Sequence, residues 1–101
     1  MIKYSIKKHD DSIESIKVKG HALFGEYGTD IVCASVSTGL IMTANAIEVL
    51  GFKENFYVKI EEGFFELKVL QTNHIIEGLL NNLVYTLNEL EAQYNTYIKN
   101  L

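Results

Sequence analysis

Apolar and polar residues alternate over the first part of the chain, and this pattern predicts two β-strands. A period of two is typical of a strand with one buried face. The turn-forming residues 9–12 separate the two alternating runs, and the second run ends near His21. Ile13 is out of phase with its run, which indicates a bulge or a late strand start. The apolar positions are Ile2, Tyr4, Ile6, Ile16, Val18, Gly20 and Ala22.

The periodicity changes to that of a helix after Asp30. The spacing predicts a helix over about 31–50, with Gly51 at its C-terminal end. Residues 23–29 contain two glycines and are predicted to form a loop. One side of the predicted helix is apolar or small: Val36, Leu40, Thr43, Ala44, Ile47 and Leu50.

The second half of the chain repeats the pattern of two strands followed by a helix. Alternating runs over 56–60 and 65–69 flank Glu62-Gly63, which predicts a hairpin. Thr72 or Asn73 can cap a final helix over 74–100, which would be roughly 40 Å long. Its apolar residues, spaced 4-3-4-3 as far as Leu101, would either cover the sheet or form a dimer contact.

The order of elements, ββαββα, predicts an α+β fold: a two-layer sandwich of a mostly antiparallel sheet and two helices. The 101 residues fit one domain over 1–101. The pattern does not define the order of strands within the sheet.

Charge and composition narrow the functional classes. The net charge is −4 and all nine basic residues are lysines. The bidentate arginine contacts that are common in nucleic-acid recognition are therefore missing. We expect no direct nucleic-acid binding. No apolar run is read as a membrane span or a signal sequence, so we expect no membrane association. A single cysteine cannot form an intramolecular disulfide, which favours a reducing, cytoplasmic location.

That cysteine, Cys33, falls in the first turn of the predicted first helix. If Asp30 caps this helix, the unpaired N–H groups and the positive end of the helix dipole favour a thiolate at Cys33. The same N–H groups would be placed to stabilise an oxyanion. The pattern is therefore compatible with a nucleophile, although a buried, inert cysteine is the commoner situation.

His21 lies twelve residues before Cys33 and shares its strand phase with lysines, so it is not expected in the core. At the strand end it is a candidate general base for the thiol. Asp30 would either orient His21 or only cap the helix. Ser37, one helical turn after Cys33, would either contact the thiolate or substrate or bond back to a helix carbonyl.

The loop offers a second set of candidates, Phe24, Gly25, Tyr27 and Gly28. It would act as a lid that holds an apolar peptide, or it would be a simple connector. The two glycines of the loop do not match a phosphate-binding motif. His9, Asp10 and Asp11 are consecutive residues of a turn, so their side chains are not expected to converge on a metal ion. We expect no metal and no cofactor.

The segment Gly20-His21-Ala22, followed by Gly28-x-Asp30-Ile31-Val32-Cys33-Ala34-x-Val36-Ser37, resembles the ribosomal-processing cysteine protease family called Prp. The resemblance covers nearly the whole chain. It implies that His21 and Cys33 form a catalytic dyad and that the positions of Asp30 and Ser37 belong to the same signature. Ser35 stands where alanine is common in the family, a small-for-small change.

The resemblance also implies a substrate and an assembly. The family removes an N-terminal extension from large-subunit ribosomal protein twenty-seven, after an aromatic-rich segment, and its members are dimers. We therefore expect a cysteine endopeptidase that acts on this precursor and forms a homodimer. The alternative is a noncatalytic, ribosome-associated binding module that uses the loop and the last helix.

Overall fold

The computed structural model describes residues 1–23, 25–26 and 30–101. Five strands and two α-helices follow one another as β1 (Ile2–His9), β2 (Ser12–Lys19), α1 (Ile31–Val49), β3 (Phe56–Glu61), β4 (Phe64–Val69), α2 (His74–Gln93) and β5 (Ile98–Asn100). A 3₁₀ turn over Lys53–Asn55 precedes β3. The predicted ββαββα order is confirmed, and β5 is an addition to it.

The strands form one sheet in the order β3-β4-β2-β1-β5. Every neighbouring pair is antiparallel except β1 and β5, which run parallel. The two helices contact each other and cover one face of the sheet, as in the predicted two-layer α+β sandwich.

The core lies between this sheet face and the helices, and the alternating apolar residues of each strand supply it. Register places Tyr4 beside Val18, and Val18 beside Phe65, on the covered face. The predicted irregularity at Ile13 is a β-bulge, because Lys7 pairs with Ser15 while Lys8 pairs with Ile13. The bulge restores the phase, so Ile13 is buried with the other apolar residues.

Both ends of α1 have the residues that its sequence predicts. Asp30 caps the N-terminus, and at the C-terminus Gly51 adopts a φ of 97° while the Phe52 amide donates to the Ile47 carbonyl. Leu50 lies outside the helix and is exposed, which corrects its predicted place on the buried side. By length and composition alone, α1 is long and apolar enough to cross a membrane. The prediction that the sequence contains no apolar segment of this length is therefore wrong for α1.

The predicted final helix is too long. The helix α2 ends at Gln93, and a turn in which the Tyr97 amide donates to the Tyr94 carbonyl leads into β5. The physical reason is tertiary: Ile98 is fully buried beside Ile2, where β5 pairs with the free edge of β1. The residues that continue the helical spacing past 93, namely Tyr94, Tyr97 and Leu101, lie outside β5, and Leu101 is exposed, which corrects its predicted place in the apolar stripe.

Within α2 itself the apolar stripe covers the sheet, which is the first of its two interpretations. Its buried members are Ile76, Leu80, Leu83 and Leu87. Asn73 caps this helix by accepting a hydrogen bond of 2.9 Å from the Ile76 amide.

Candidate functional site

His21 and Cys33 line the same open cavity, of about 660 Å³. The cavity lies where three parts of the fold meet: the residues after β2, the first turns of α1 and the turn between β3 and β4. The end of β2 and the start of α1 therefore lie together, as the sequence predicts. Asp30, Ser37 and Gly25 line the cavity too.

The thiol of Cys33 receives a hydrogen bond from the residue that follows His21. The Ala22 amide donates to Cys33 Sγ across 3.2 Å. Ala22 is buried and Cys33 is half-buried, so this donor is held in place at the cavity wall. The contact therefore fixes Cys33 Sγ at the cavity wall beside His21.

Asp30 acts as the N-cap of α1. Its Oδ1 accepts hydrogen bonds from the amides of Val32, at 3.0 Å, and Cys33, at 2.9 Å, and its Oδ2 accepts one from the Gly25 amide at 3.3 Å. The capping alternative is thus observed. The amides of Val32 and Cys33, which the sequence suggested as oxyanion donors, are engaged by this carboxylate.

His21 is exposed, as expected from its strand phase, and lies over the β3–β4 turn. A Cβ atom built on Gly63 would be 2.8 Å from His21 Nε2, so any side chain there would displace the exposed ring from its position. The Gly20 amide donates to the Gly63 carbonyl across 2.9 Å, which joins the end of β2 to the same turn. Among the described residues no hydrogen bond joins the His21 ring to Cys33 Sγ.

The Gly20 backbone explains how the chain leaves β2 toward the cavity. Its φ is 98°, a left-handed conformation that favours glycine, and a Cβ there would clash with the Met1 carbonyl oxygen. Gly20 therefore turns the chain at the point where His21 and Ala22 must face Cys33.

The walls of the cavity are apolar and part of its rim is acidic. Leu40, Ile41 and Ile60 contribute apolar surface from α1 and β3. Glu61 and Glu62 lie at the turn that also supports His21, and both are exposed. The cavity can therefore accept apolar side chains while attracting a positively charged ligand.

The structure describes only part of the predicted loop. Gly25 is described, and its amide links the loop to Asp30. Phe24, Tyr27 and Gly28 lie outside the described residues. Ser37 lines the cavity on the same side of α1 as Cys33, while the back-bond to a helix carbonyl is made by Ser35, whose Oγ donates to the Ile31 carbonyl across 2.7 Å.

The remaining candidates stay apart from this cavity. His9 Nε2 lies 3.4 Å from Asp10 Oδ2, with both side chains strongly exposed. His74 begins α2 on the surface. In the part of the chain that the structure describes, no group of three metal-ligating side chains converges.

Sequence reasoning missed four residues that contribute to the site: Ala22 through its amide, Gly63, and the two glutamates of the same turn, Glu61 and Glu62. Glu62-Gly63 is recognisable as a hairpin turn, but its position beside His21 depends on β4 pairing with β2. The Ala22 amide carries no side-chain signal at all.

Comparison with known proteins identifies the family of this chain. The family model described as cysteine protease Prp matches residues 1–99. Ribosomal processing cysteine protease Prp of Staphylococcus aureus is 31% identical, with 98% of this chain and 96% of that protein covered; the Bacillus subtilis protein of the same name is 28% identical, with 98% and 95% covered. A crystal structure of the S. aureus protease with a covalently linked product peptide has a TM-score of 0.91 and 30% identity, covering 99% of this chain and 97% of that one. A structure of that protease with a substrate peptide has a TM-score of 0.87.

Proposed function

This chain belongs to the Prp family of cysteine proteases, and we propose that it processes a ribosomal protein through a dyad of Cys33 and His21. The observation that carries the proposal is the meeting of the chain's sole cysteine with His21 at one cavity. Asp30 and Ser37 support the dyad, Asp30 as the helix cap that fixes Cys33 and Ser37 as a hydroxyl beside the substrate.

The first chemical step is acylation of the thiol. His21 takes the proton from Cys33 Sγ, and the thiolate attacks the scissile carbonyl carbon to form a tetrahedral intermediate. His21 then donates that proton to the leaving amine as the C–N bond breaks, which leaves a thioester. Water, deprotonated by His21, hydrolyses the thioester and restores the thiol.

The Ala22 amide is the backbone donor that this cavity aims at the reacting atoms. It contacts Sγ at 3.2 Å, and the carbonyl oxygen of a substrate attacked by Sγ would form its oxyanion close to the same N–H. A preorganised donor at such a position stabilises the charge that develops in the transition state. The amides of Val32 and Cys33 instead hold the Asp30 carboxylate.

The substrate class that fits the cavity is a peptide with apolar side chains and nearby positive charge. Leu40, Ile41 and Ile60 supply the apolar wall. Glu62 supplies negative charge at the rim, where the neighbouring Glu61 is paired with Lys59. Ribosomal proteins are basic because they bind ribosomal RNA, so an acidic rim favours their encounter. The proposed substrate is the precursor of large-subunit ribosomal protein twenty-seven, with cleavage of its N-terminal extension. The chain uses no metal and no cofactor in this mechanism.

The experiment is intact-mass analysis of that precursor after incubation with the native chain, Cys33→Ala, His21→Ala and the matched surface control His74→Ala. We expect loss of a single N-terminal fragment with the native chain and His74→Ala, and an intact precursor with the other two variants. An intact precursor with the native chain contradicts the substrate. Cleavage by Cys33→Ala contradicts the mechanism.

We further propose that residues 1–101 act as one catalytic unit that forms a homodimer in the cytoplasm. The stripe of α2 is buried and does not support the dimer, but α1 exposes the apolar side chain of Met42, whose relative exposure is 66%. Burial of this apolar surface between two copies would be favourable. Sedimentation at micromolar concentration tests this, and a monomer contradicts it. The free thiol supports the reducing location.

A further inference from the structure

Seven of the nine lysines lie on the face of the sheet that no helix covers. The strand pairings place every one of them opposite in phase to the buried apolar residues. The two exceptions are Lys8 and Lys53. The seven, which we call the lysine face, are Lys3, Lys7, Lys17, Lys19, Lys59, Lys68 and Lys99.

Carboxylates neutralise this face only in part. Glu14, Glu61 and Glu66 form ion pairs with Lys7, Lys59 and Lys17, respectively. Seven lysines and three glutamates leave an excess of four positive charges there, on a chain whose net charge is −4. The opposite layer is acidic, because α1 and α2 contain no lysine or arginine but four glutamates, namely Glu48, Glu77, Glu89 and Glu91. The chain therefore has one positively charged face and one negatively charged face, which the net charge alone does not indicate.

Three of the lysines are aligned across the sheet. Lys3 on β1 is directly beside Lys19 on β2 and directly beside Lys99 on β5. Neighbouring strands are about 4.8 Å apart, and like charges that lie opposite each other destabilise a sheet. In the described residues none of the three has a carboxylate within ion-pairing distance. Their alignment is accounted for if an anion bridges them.

Aromatic side chains lie on the same face. Tyr57 is adjacent to Lys68 across β3 and β4, and Phe64 is adjacent to Lys19 across β4 and β2. Half of the Tyr57 side chain is exposed, and Lys59 Nζ lies 5.9 Å from the centre of the Phe64 ring. A sheet that combines lysines with exposed aromatic rings has the two features that bind unpaired nucleotides, namely phosphate neutralisation and base stacking.

We propose that the lysine face is an RNA-binding surface, whose lysines bind the phosphate backbone without sequence preference. This replaces the expectation from net charge that nucleic acid is excluded. The choice of RNA over other polyanions rests on the proposed function, because the proposed substrate is a ribosomal protein and ribosomal proteins bind ribosomal RNA. Lys19 lies two residues before His21, so RNA on this face would lie next to the cleavage site without entering the cavity.

The test is fluorescence anisotropy of a labelled single-stranded RNA of twenty nucleotides, titrated with the intact chain over a range of salt concentrations. Lys3→Gln/Lys99→Gln removes two charges from the lysine face, and Lys8→Gln/Lys53→Gln removes two charges elsewhere. All four residues are exposed, so neither pair disturbs the core. Circular dichroism checks that both variants fold.

We expect native affinity in the micromolar to sub-millimolar range and a loss of about tenfold for the face variant at low salt. The slope of log K against log salt should decrease by roughly 1.4, or about 0.7 for each phosphate that is no longer neutralised. The control variant should change affinity less than about twofold. Equal losses in both variants, or no binding by the native chain, overturn the proposal.

Two further arms distinguish RNA binding from the binding of an acidic protein and from protease activity. A polyglutamate peptide of the same length that displaces the RNA at equal concentration overturns the proposal in favour of an acidic protein partner. Cleavage of a precursor peptide, measured on the same samples, should be equal in the native chain and the face variant. Cleavage without RNA binding refutes the RNA surface alone, whereas RNA binding without cleavage sustains it and refutes the proposed protease substrate.

Discussion

The backbone amide of Ala22 donates a hydrogen bond of 3.2 Å to Sγ of Cys33. This contact joins the segment after β2 to the first turn of α1, so the residue next to His21 is fixed relative to the thiol. The backbone amide of Cys33 in turn donates a hydrogen bond to the Asp30 carboxylate. The position of the nucleophile therefore depends on two backbone contacts, and the position of His21 depends on the turn at Gly63.

Replacement of Gly63 by alanine should impair catalysis by displacing His21. The new Cβ would lie 2.8 Å from His21 Nε2, and the φ of 69° at Gly63 adds backbone strain. Gly51→Ala is the matched control, since its φ is 97° and nothing lies within 4 Å of the new Cβ. Both variants should lose about 1 kcal/mol of unfolding free energy.

Peptide cleavage distinguishes the two glycine variants. We expect kcat/KM to fall at least about tenfold for Gly63→Ala, the cost of a misplaced catalytic group, and to stay near the native value for Gly51→Ala. Equal activities in both variants would show that the Gly63 turn does not position His21.

Asp30 should act through its hydrogen bonds to the helix and not through its charge. Asp30→Ala should lower the unfolding free energy by about 1 kcal/mol, or roughly 4–8 °C in Tm, because the cap is removed. Asp30→Asn retains a good N-cap residue, so it should keep native stability and most of the cleavage rate. Asn73→Ala, at the cap of α2, should lower stability similarly without affecting the cavity. A folded but inactive Asp30→Asn would contradict this assignment.

Tyr4 should stabilise the junction of the sheet with α2. Its fully buried side chain donates from the hydroxyl to Asn88 Oδ1 at 2.7 Å and contacts Glu91 Oε1 at 3.1 Å. Tyr4→Phe should cost about 1 kcal/mol at pH 7, as is typical for removal of a hydrogen bond. Tyr85→Phe, on the exposed face of α2, should change the unfolding free energy by much less. Thermal unfolding of both variants checks this.

The Tyr4 contribution should also depend on pH. Burial, and secondly the charge and hydrogen bond of Glu91, raise the pKa of Tyr4 above its ordinary value of 10.0. Above pH 10 the unfolded chain releases this proton while the folded chain retains it, so the contribution is full below pH 10 and declines above it, by up to about 1.4 kcal/mol per pH unit. The stability advantage of the native chain over Tyr4→Phe should therefore shrink above pH 10. A difference that stays constant to pH 11 would contradict this.

The short strand β5 should contribute substantially to stability. Ile98 is fully buried next to Ile2, so Ile98→Ala should lower the unfolding free energy by about 2–5 kcal/mol. Ile75→Ala, on a partly exposed helix position, should cost far less. Denaturant unfolding measures both values, and similar losses would mean that β5 is not packed as described.

Local sequence signals predict much of this fold. Alternation locates the four main strands, and Asp30, Gly51 and Asn73 mark helix ends through specific hydrogen bonds or backbone angles. The end of the second helix could not be predicted, because apolar residues at helical spacing continue to Leu101. Only the pairing of β5 with β1, a contact between opposite ends of the chain, separates the two possibilities.

The side chains that line the site can be predicted from the sequence, whereas the backbone groups that position them cannot. Cys33 and His21 are rare residue types whose positions relative to a helix start and a strand end can be inferred from the sequence. The Ala22 amide and the Gly63 turn act through main-chain geometry that depends on strand order. The separation of lysines from glutamates likewise follows from which strand face the helices cover.

The central claim, that His21 activates Cys33, is tested most directly by the alkylation rate of the chain with iodoacetamide at neutral pH, followed by intact mass. Cys33 is the sole cysteine, so each adduct reports this thiol alone. The account predicts that His21→Ala reacts at least about tenfold more slowly than the native chain, because thiolate is the reactive species, and that His74→Ala reacts at the native rate. Equal rates for all three proteins would contradict the dyad.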